Sequence, residues 1–241
     1  MSKSKKIVIT VIAVLLVLAA AAWFFVPRIM LYAGSKAILS NIGETATYFT
    51  EYDVRNEDVQ TIDNGHIAID IPKELVKTET SVDSVVIYRN TDKSISVLMM
   101  SPEDLSDLNL MLEDTMEETM SSGNVSISTK QLRKGFEAMG NGIPDSAYNT
   151  YKCCYLTSKE DNSFWNFNQA AAFLVAGTLK STAAQYGPVQ IYETDTICGF
   201  ISTGLLEVYS TDDLNTVTGI LVKGMDSNDV YAIMNSARAC E

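Results

Sequence analysis

Residues 59–72 read VQTIDNGHIAIDIP, and they predict the antiparallel sheet around which the chain folds. Asn64-Gly65 is a strong signal for a β-hairpin, because both residues tolerate positive φ angles. The second half of the stretch has isoleucine at every second position, so one face of that strand is expected to be buried. The single histidine, His66, falls on the opposite face and is expected to be exposed.

Strand patterns lie on both sides of a helical block over residues 101–184. SVVIYR (84–89) and SISVLMM (94–100) precede the block. VQIYE (189–193), ICGFIST (197–203), LLEVYS (205–210) and TVTGILV (216–222) follow it, at the short spacings of an antiparallel meander. Asp226 then begins a C-terminal helix. Strands grouped with strands and helices with helices predict an α+β fold: an antiparallel sheet with a helical insertion and a C-terminal helix.

The helical block is predicted to hold four helices. The first begins at Ser101-Pro102 and carries a leucine and methionine stripe between residues 105 and 120. The second ends at Gly140, a typical helix C-cap, and the third follows Pro144. The fourth spans about residues 164–184 and includes an uncharged run too short to cross a bilayer, so we expect a buried core helix.

The order of elements resembles the PsbP/Mog1-like α/β sandwich. The stretches that carry the resemblance are NGHIAIDIP (64–72), SVVIYRN (84–90), SISVLMM (94–100) and TVTGILVKGMDSNDVYAIMNSA (216–237). The helical block is longer than is usual in that family. Proteins of this fold are commonly non-catalytic binding or assembly factors, so the resemblance implies no active site and assigns no functional residue.

An apolar segment precedes the domain. Residues 7–26 read IVITVIAVLLVLAAAAWFFV, without a charge or a proline, and Lys3, Lys5 and Lys6 come before them. Twenty residues of helix rise about 30 Å, the thickness of the hydrocarbon core of a bilayer. By the positive-inside rule the N-terminus is cytoplasmic and the domain lies outside. The alternative is a cleaved signal peptide ending in the alanine run, but Trp-Phe-Phe-Val after the alanines favours a retained anchor.

This segment divides the chain into three predicted parts. Residues 1–27 form a cytoplasmic tail and a transmembrane anchor, and Pro27 marks the exit from the membrane. Residues 28–55 form a stalk helix that packs on the domain. Residues 56–241 form the extracytoplasmic α+β domain, which is expected to have a complete core of its own.

The charge balance excludes one class of partner. The chain has 18 Lys and Arg residues against 30 Asp and Glu residues. Three of the lysines precede the apolar segment, so 15 basic and 30 acidic residues remain for the rest. Nucleic-acid binding needs a clustered basic surface, and none is predicted here.

The residues that usually carry chemistry form no recognisable constellation. His66 has no nucleophile motif near it, and GxSxG, GxGxxG and GxxxxGK[ST] are absent. The cysteines lack metal-binding spacing, and three disulfide pairings of Cys153, Cys154, Cys198 and Cys240 are conceivable. The stretch Asp226-Ser-Asn228-Asp229 begins like a calcium loop, but a helix cap is favoured. The sequence predicts no catalytic residue, cofactor or metal.

Aromatic residues offer the best candidate binding site. A tyrosine stripe on the third helix and an aromatic cluster before the fourth would meet if the two helices pack as a hairpin; their members are Tyr148, Tyr151, Tyr155, Phe164, Trp165 and Phe167. The simpler interpretation of Trp165 is a core residue at the start of its helix, and we expect that one.

The sequence is therefore compatible with two functions. The first is a single-pass membrane protein whose domain binds or scaffolds a protein partner in the cell envelope without catalysis. The alternative is an envelope hydrolase that uses a pair of carboxylates, because the partners of such a pair need not be close in sequence.

Overall fold

The computed structural model describes residues 3–38, 45–49, 58–78, 85–100, 128–183 and 188–240, and within the first helix it describes side chains from Val14 onward. The helices are α1 (Lys3–Ile38), α2 (Thr129–Met139), α3 (Ala147–Leu156), a short 3-10 helix (Lys159–Asp161), α4 (Phe167–Ala183) and α5 (Ser227–Ser236). The strands are β1 (Thr47–Tyr48), β2 (Val59–Asp63), β3 (Ile67–Pro72), β4 (Val76–Thr78), β5 (Val85–Arg89), β6 (Ser96–Met100), β7 (Gln190–Glu193), β8 (Ile197–Ser202), β9 (Leu205–Ser210), β10 (Asp213–Lys223) and β11 (Arg238–Ala239). The helix predicted from Ser101 lies outside the described residues.

Within the described residues, eight strands form one sheet in the order β1-β7-β8-β9-β10-β6-β5-β4, and three form a second in the order β11-β3-β2. β1 runs parallel to β7, and every other neighbouring pair is antiparallel. The α+β class is confirmed, as is the meander from β7 to β10. The two- and three-residue strands β1, β4 and β11 are too short to show a sequence period, so the sequence does not predict them.

The predicted hairpin is β2 and β3, but its turn differs from the expected one. Gly65 has a φ of 84°, whereas Asn64 does not take a positive φ. The Asn64 side chain serves the turn instead, because its Oδ1 accepts hydrogen bonds from the backbone N–H groups of His66 and Ile67. Its Nδ2 donates to the carbonyl of Met100 and to Thr218 Oγ1, which ties the small sheet to the large one.

The large sheet has a core on each face. The core between the two sheets contains Ile67, Ile69 and Ile71 of β3, Met99, Leu206, Val208 and Ile220 of the large sheet, and Ile233 and Met234 of α5. On the other face, Ile191, Phe200, Tyr209 and Val217 pack against Tyr148 and Tyr155 of α3. Alternating side chains of β8 supply the two cores in turn, with Ile197 and Ile201 on the face toward the small sheet and Cys198 and Phe200 on the face toward α3.

The helices form a layer outside α3. α2 begins with a capping box formed by Ser128 and Gln131 and ends at Gly140, which has a φ of 80°. α4 contacts α1, α2 and α3 and contributes mainly alanine and valine to their shared core. Gly135 of α2 lies so close to the Asn168 carbonyl of α4 that a Cβ would collide with it. The predicted second, third and fourth helices are thus confirmed.

The helix α1 continues beyond Pro27, the predicted exit from the membrane, and that exit stays a prediction. The helix passes through Pro27 without a break and ends at Ile38. Pro27 lacks the N–H that would bond to the Trp23 carbonyl, and in the same turn the Arg28 side chain donates from Nη1 to the Phe24 carbonyl at 2.8 Å. Beyond this turn, Leu31 and Ser35 are buried in the helical layer. Leu31 therefore belongs to the helical core, and we expect residues 56–241 to need residues 28–38 for folding.

The predicted stalk helix over residues 28–55 is longer than the helix in the structure, which ends at Ile38. Thr47–Tyr48 is a strand at the edge of the large sheet, paired with β7. The flanking N–H groups hold it there: Ala46 donates to the Tyr155 carbonyl at 3.1 Å, and Phe49 donates to the Ile191 carbonyl at 2.7 Å. Apolar spacing did not distinguish a helix from an extended segment that packs an aromatic side chain.

Candidate functional site

An open groove of about 1180 Å³ lies where α1 meets the loop before α4. We call it the aromatic groove. It is lined by Ala22, Trp23, Phe24, Val26, Pro27 and Arg28 of α1, by Ser163, Trp165, Asn166, Phe167 and Asn168, and by Gln131 of α2. One wall is thus the last turns of the apolar segment, and the other is the aromatic cluster that the sequence singled out.

Trp165 is exposed in this groove, which corrects the expectation of a core residue. Its side chain is 72% exposed, and that of Trp23 is 86% exposed. Trp165 does not begin α4, because that helix starts two residues later at Phe167. Phe164 packs edge-on against Trp165, with ring centroids 5.0 Å apart, and against Tyr32 of α1 at 5.5 Å. Phe164 therefore links the exposed ring to the helix α1.

The loop that presents Trp165 is held by hydrogen bonds on both sides. Before it, Asn162 Oδ1 accepts from the buried Ser35 hydroxyl of α1 at 3.0 Å. After it, Asn166 Oδ1 accepts from the N–H of Gln169 at 3.2 Å, a typical N-cap interaction for α4. Within it, Ser163 Oγ accepts from the N–H of Asn166 at 3.1 Å. The exposed position of Trp165 is thus fixed by its neighbours.

Arg28 brings a cation to the same groove. Its guanidinium lies 3.6 Å from the ring centroid of Phe24 and 5.9 Å from that of Phe167. Such stacking is favourable because the face of an aromatic ring is electron-rich. Within the described residues, its buried Nε has no hydrogen-bond partner. The groove therefore combines exposed aromatic rings with a guanidinium stacked on Phe24.

The predicted site residues fall in two places. Tyr148 and Tyr155 are buried and Tyr151 is half-buried, and all three pack around Phe200 of β8. Phe164 and Trp165 lie at the aromatic groove, and Phe167 lines it while packing partly on the helical core. The tyrosine stripe thus faces the large sheet, while the cluster before α4 faces α1. A binding role stays a prediction for all six residues, of which Trp165 is the exposed one.

The tyrosine stripe ends in a polar cluster at the edge of the sheet. Tyr148 donates to Glu193 Oε1 at 2.8 Å, and Lys152 Nζ lies 2.6 Å from the same oxygen. Burial and the Glu193 carboxylate raise the pKa of Tyr148 well above its usual value. The phenol is therefore held protonated, and Lys152 is held as a cation against Glu193. This pairing stabilises the contact between α3 and β7.

All four cysteines are free thiols. Cys153, Cys154 and Cys198 are buried, and Cys240 is half-buried. Burial raises the pKa of Cys153 to about 11 and that of Cys198 to about 12. At neutral pH these thiols stay protonated, and a protonated thiol is a poor nucleophile and metal ligand. Among the described residues, no cluster of His, Cys, Asp and Glu could hold a metal ion.

Two titratable groups that the sequence analysis did not single out have unusual surroundings. Burial raises the pKa of Glu207 to about 7, and its neighbours across the sheet are Phe200 and Gly219. Lys180 of α4 is buried and donates from Nζ to the carbonyls of Tyr155, at 3.2 Å, and Thr157, at 2.8 Å. These carbonyls lie at the C-terminal end of α3, so Lys180 completes the hydrogen bonding of that helix end.

Comparison of the sequence with protein-family models and with curated proteins finds no match.

Proposed function

We propose that this protein is held in the cell membrane by α1 as a single-pass anchor, and that its domain lies outside the cytoplasm as a non-catalytic binding or assembly factor of the cell envelope. The observation that carries the proposal is the double character of α1. The stretch Val14–Ile38 is long and apolar enough to cross a membrane. The same helix ends with Leu31 and Ser35 buried in the domain.

The exposure of the apolar half supports a lipid environment. Leu15, Leu16 and Val17 are each more than half exposed. A core helix of a water-soluble domain buries such side chains, because each buried aliphatic side chain contributes about 1.5–3 kcal/mol. An apolar helix that leaves them uncovered on all sides fits a bilayer better than water.

The orientation follows from charge. Three lysines precede the apolar run, and the chain beyond it carries twice as many acidic as basic residues. Positive residues tend to stay on the cytoplasmic side during insertion, and this supports a location of the domain outside the cytoplasm. Because α1 continues into the helical layer, the domain would have a fixed orientation relative to the membrane, which suits a protein that positions a partner.

The titratable groups support binding over hydrolysis. A carboxylate-based hydrolase needs two acids that face each other across the substrate. Glu207 has a raised pKa, but burial is its cause, and a phenylalanine and a glycine flank it on the sheet. The raised pKa values of the buried thiols and of Tyr148 remove those groups as nucleophiles near neutral pH. The resemblance to the PsbP/Mog1-like sandwich, which we retain as a proposal, points the same way.

The anchor is tested by fractionation and protease access. In right-side-out membrane vesicles, the full-length chain should stay in the membrane through alkaline extraction, and added protease should degrade the domain. A soluble form starting near Trp23 would show a cleaved signal peptide, and protection of the domain would show the reverse orientation.

The binding role is tested by cross-linking in native membranes. A tagged chain should give one cross-linked partner in a fixed ratio, and the same partner should appear with Glu207→Gln. Turnover of a cell-envelope polymer by the purified chain that is abolished by Glu207→Gln would favour the hydrolase instead.

A further inference from the structure

We propose that the aromatic groove rests on the phospholipid surface, with Trp165 inserted among the lipid headgroups beside Trp23 and with Arg28 facing the phosphates. This inference rests on the proposed function, because it requires α1 to span the membrane. It adds a second point of membrane contact, made by the domain itself, in the loop over residues 162–166.

The depth of the groove follows from helix geometry. The apolar run ends at Val26, and at a rise of 1.5 Å per residue Trp23 lies about 4.5 Å inside that end and Arg28 about 3 Å outside it. Trp165 lines the same groove as these two residues. It is therefore at the level of the membrane boundary and not above it in water.

The chemistry of the loop suits that level. Trp rings concentrate at membrane–water interfaces, because one part of the ring is apolar and its N–H can donate to water or headgroups. Trp165 is 72% exposed even though the loop around it is fixed by hydrogen bonds. Little conformational entropy is then lost on insertion, since the ring is already held outward.

The charge pattern allows a close approach. The domain is strongly acidic, so its average surface is repelled by anionic lipid headgroups. Residues 162–179 contain no charged side chain, so the loop carries no acid to oppose contact. Arg28 adds a cation at the boundary, and a guanidinium binds phosphate oxygens with paired hydrogen bonds.

The test uses the two tryptophans, which are the only two in the sequence. Trp23→Phe leaves Trp165 as the reporter, and Trp165→Phe leaves Trp23. Each full-length variant is placed in phosphatidylcholine vesicles that carry bromine either near the top or near the end of the acyl chains. Excitation at the red edge of the tryptophan band avoids the tyrosines, and vesicles without bromine are the control.

With Trp165 as the reporter, we expect blue-shifted emission and a larger loss of intensity with shallow than with deep bromine. With Trp23 as the reporter, we expect quenching by brominated lipid as well. If Trp23 is quenched while Trp165 is not, and Trp165 remains open to a water-soluble quencher, the docking proposal is overturned and the anchor stands. If neither is quenched, the anchor itself fails. Circular dichroism of both variants checks that each is folded.

Discussion

Glu207→Gln should make the protein more stable above neutral pH, because it removes a carboxyl group whose ionisation is unfavourable in the folded state. Glu207 is half-buried on β9, where burial raises its pKa from 4.5 to about 7. Its ionised form would also act on Tyr155 and Tyr209, whose pKa values are raised first by burial and then by the Glu207 charge. The amide has nearly the same shape and no charge.

The size of the effect follows from linkage. Below pH 4.5 the carboxyl is protonated in both folded and unfolded chains, so Glu207 imposes no ionisation cost there. Between pH 4.5 and about 7 the unfolded chain ionises first, and the stability of the folded state falls as the pH rises. The two pKa values correspond to about 3 kcal/mol, and partial screening by water reduces the expected gain in Glu207→Gln to about 2–3 kcal/mol.

The assay is urea unfolding of the full-length chain in detergent micelles, followed by circular dichroism at pH values on both sides of this window. The free energy of unfolding of Glu207→Gln should exceed that of the native chain above pH 7 and approach it below pH 4.5. Glu137→Gln, an exposed position on α2, is the matched control and should change little at any pH. A Glu207→Gln difference that does not depend on pH would refute the argument that burial opposes ionisation.

Two other predictions concern the helical layer. Trp165→Ala should leave the free energy of unfolding within about 0.5 kcal/mol of the native value, because the Trp165 side chain is exposed. Phe173→Ala, at a buried position of α4, should lower it by about 3–5 kcal/mol. Equal losses for the two variants in urea unfolding would show that Trp165 is a core residue. A chain that starts at Arg28 should fold as a soluble domain, whereas a chain that starts at residue 56 should lose helix and aggregate, because it lacks Leu31 and the strand β1. Size-exclusion chromatography and circular dichroism distinguish the two chains. If both fold equally well, residues 28–55 are dispensable for folding.

The features predicted correctly from the sequence are those with a local physical cause. Alternating isoleucines mark β3 because a strand exposes and buries residues in turn. Gly140 marks the end of α2 because a left-handed residue suits glycine, and Asp226 marks the start of α5 because its carboxylate accepts the N–H of Asp229 at 3.0 Å. Each of these signals acts within a few residues, so it can be read before the fold is known.

The features that were missed depend on contacts distant in sequence. Strand β1 exists because β7 and the end of α3 offer acceptors to its N–H groups, and neither is visible from residues 45–49. Lys180 is buried because two carbonyls more than twenty residues earlier accept its ammonium protons. The pKa of Glu207 is raised by its burial in the folded protein, and the residues next to it in sequence do not indicate that burial.

Trp165 shows how one aromatic pattern can support two opposite interpretations. Phe-Trp-Asn-Phe before an apolar helix indicates burial if the helix is taken alone, since such rings usually fix a helix to its neighbours. In the structure Phe164 makes that contact, with Tyr32 of α1, and Trp165 is thereby turned outward beside the end of the apolar segment. The deciding information is the passage of α1 through Pro27 into the domain, because that continuity brings the loop to the level of Trp23. An exposed tryptophan is costly in water and favourable at a bilayer surface, so the proposed membrane contact would account for the exposure of this ring.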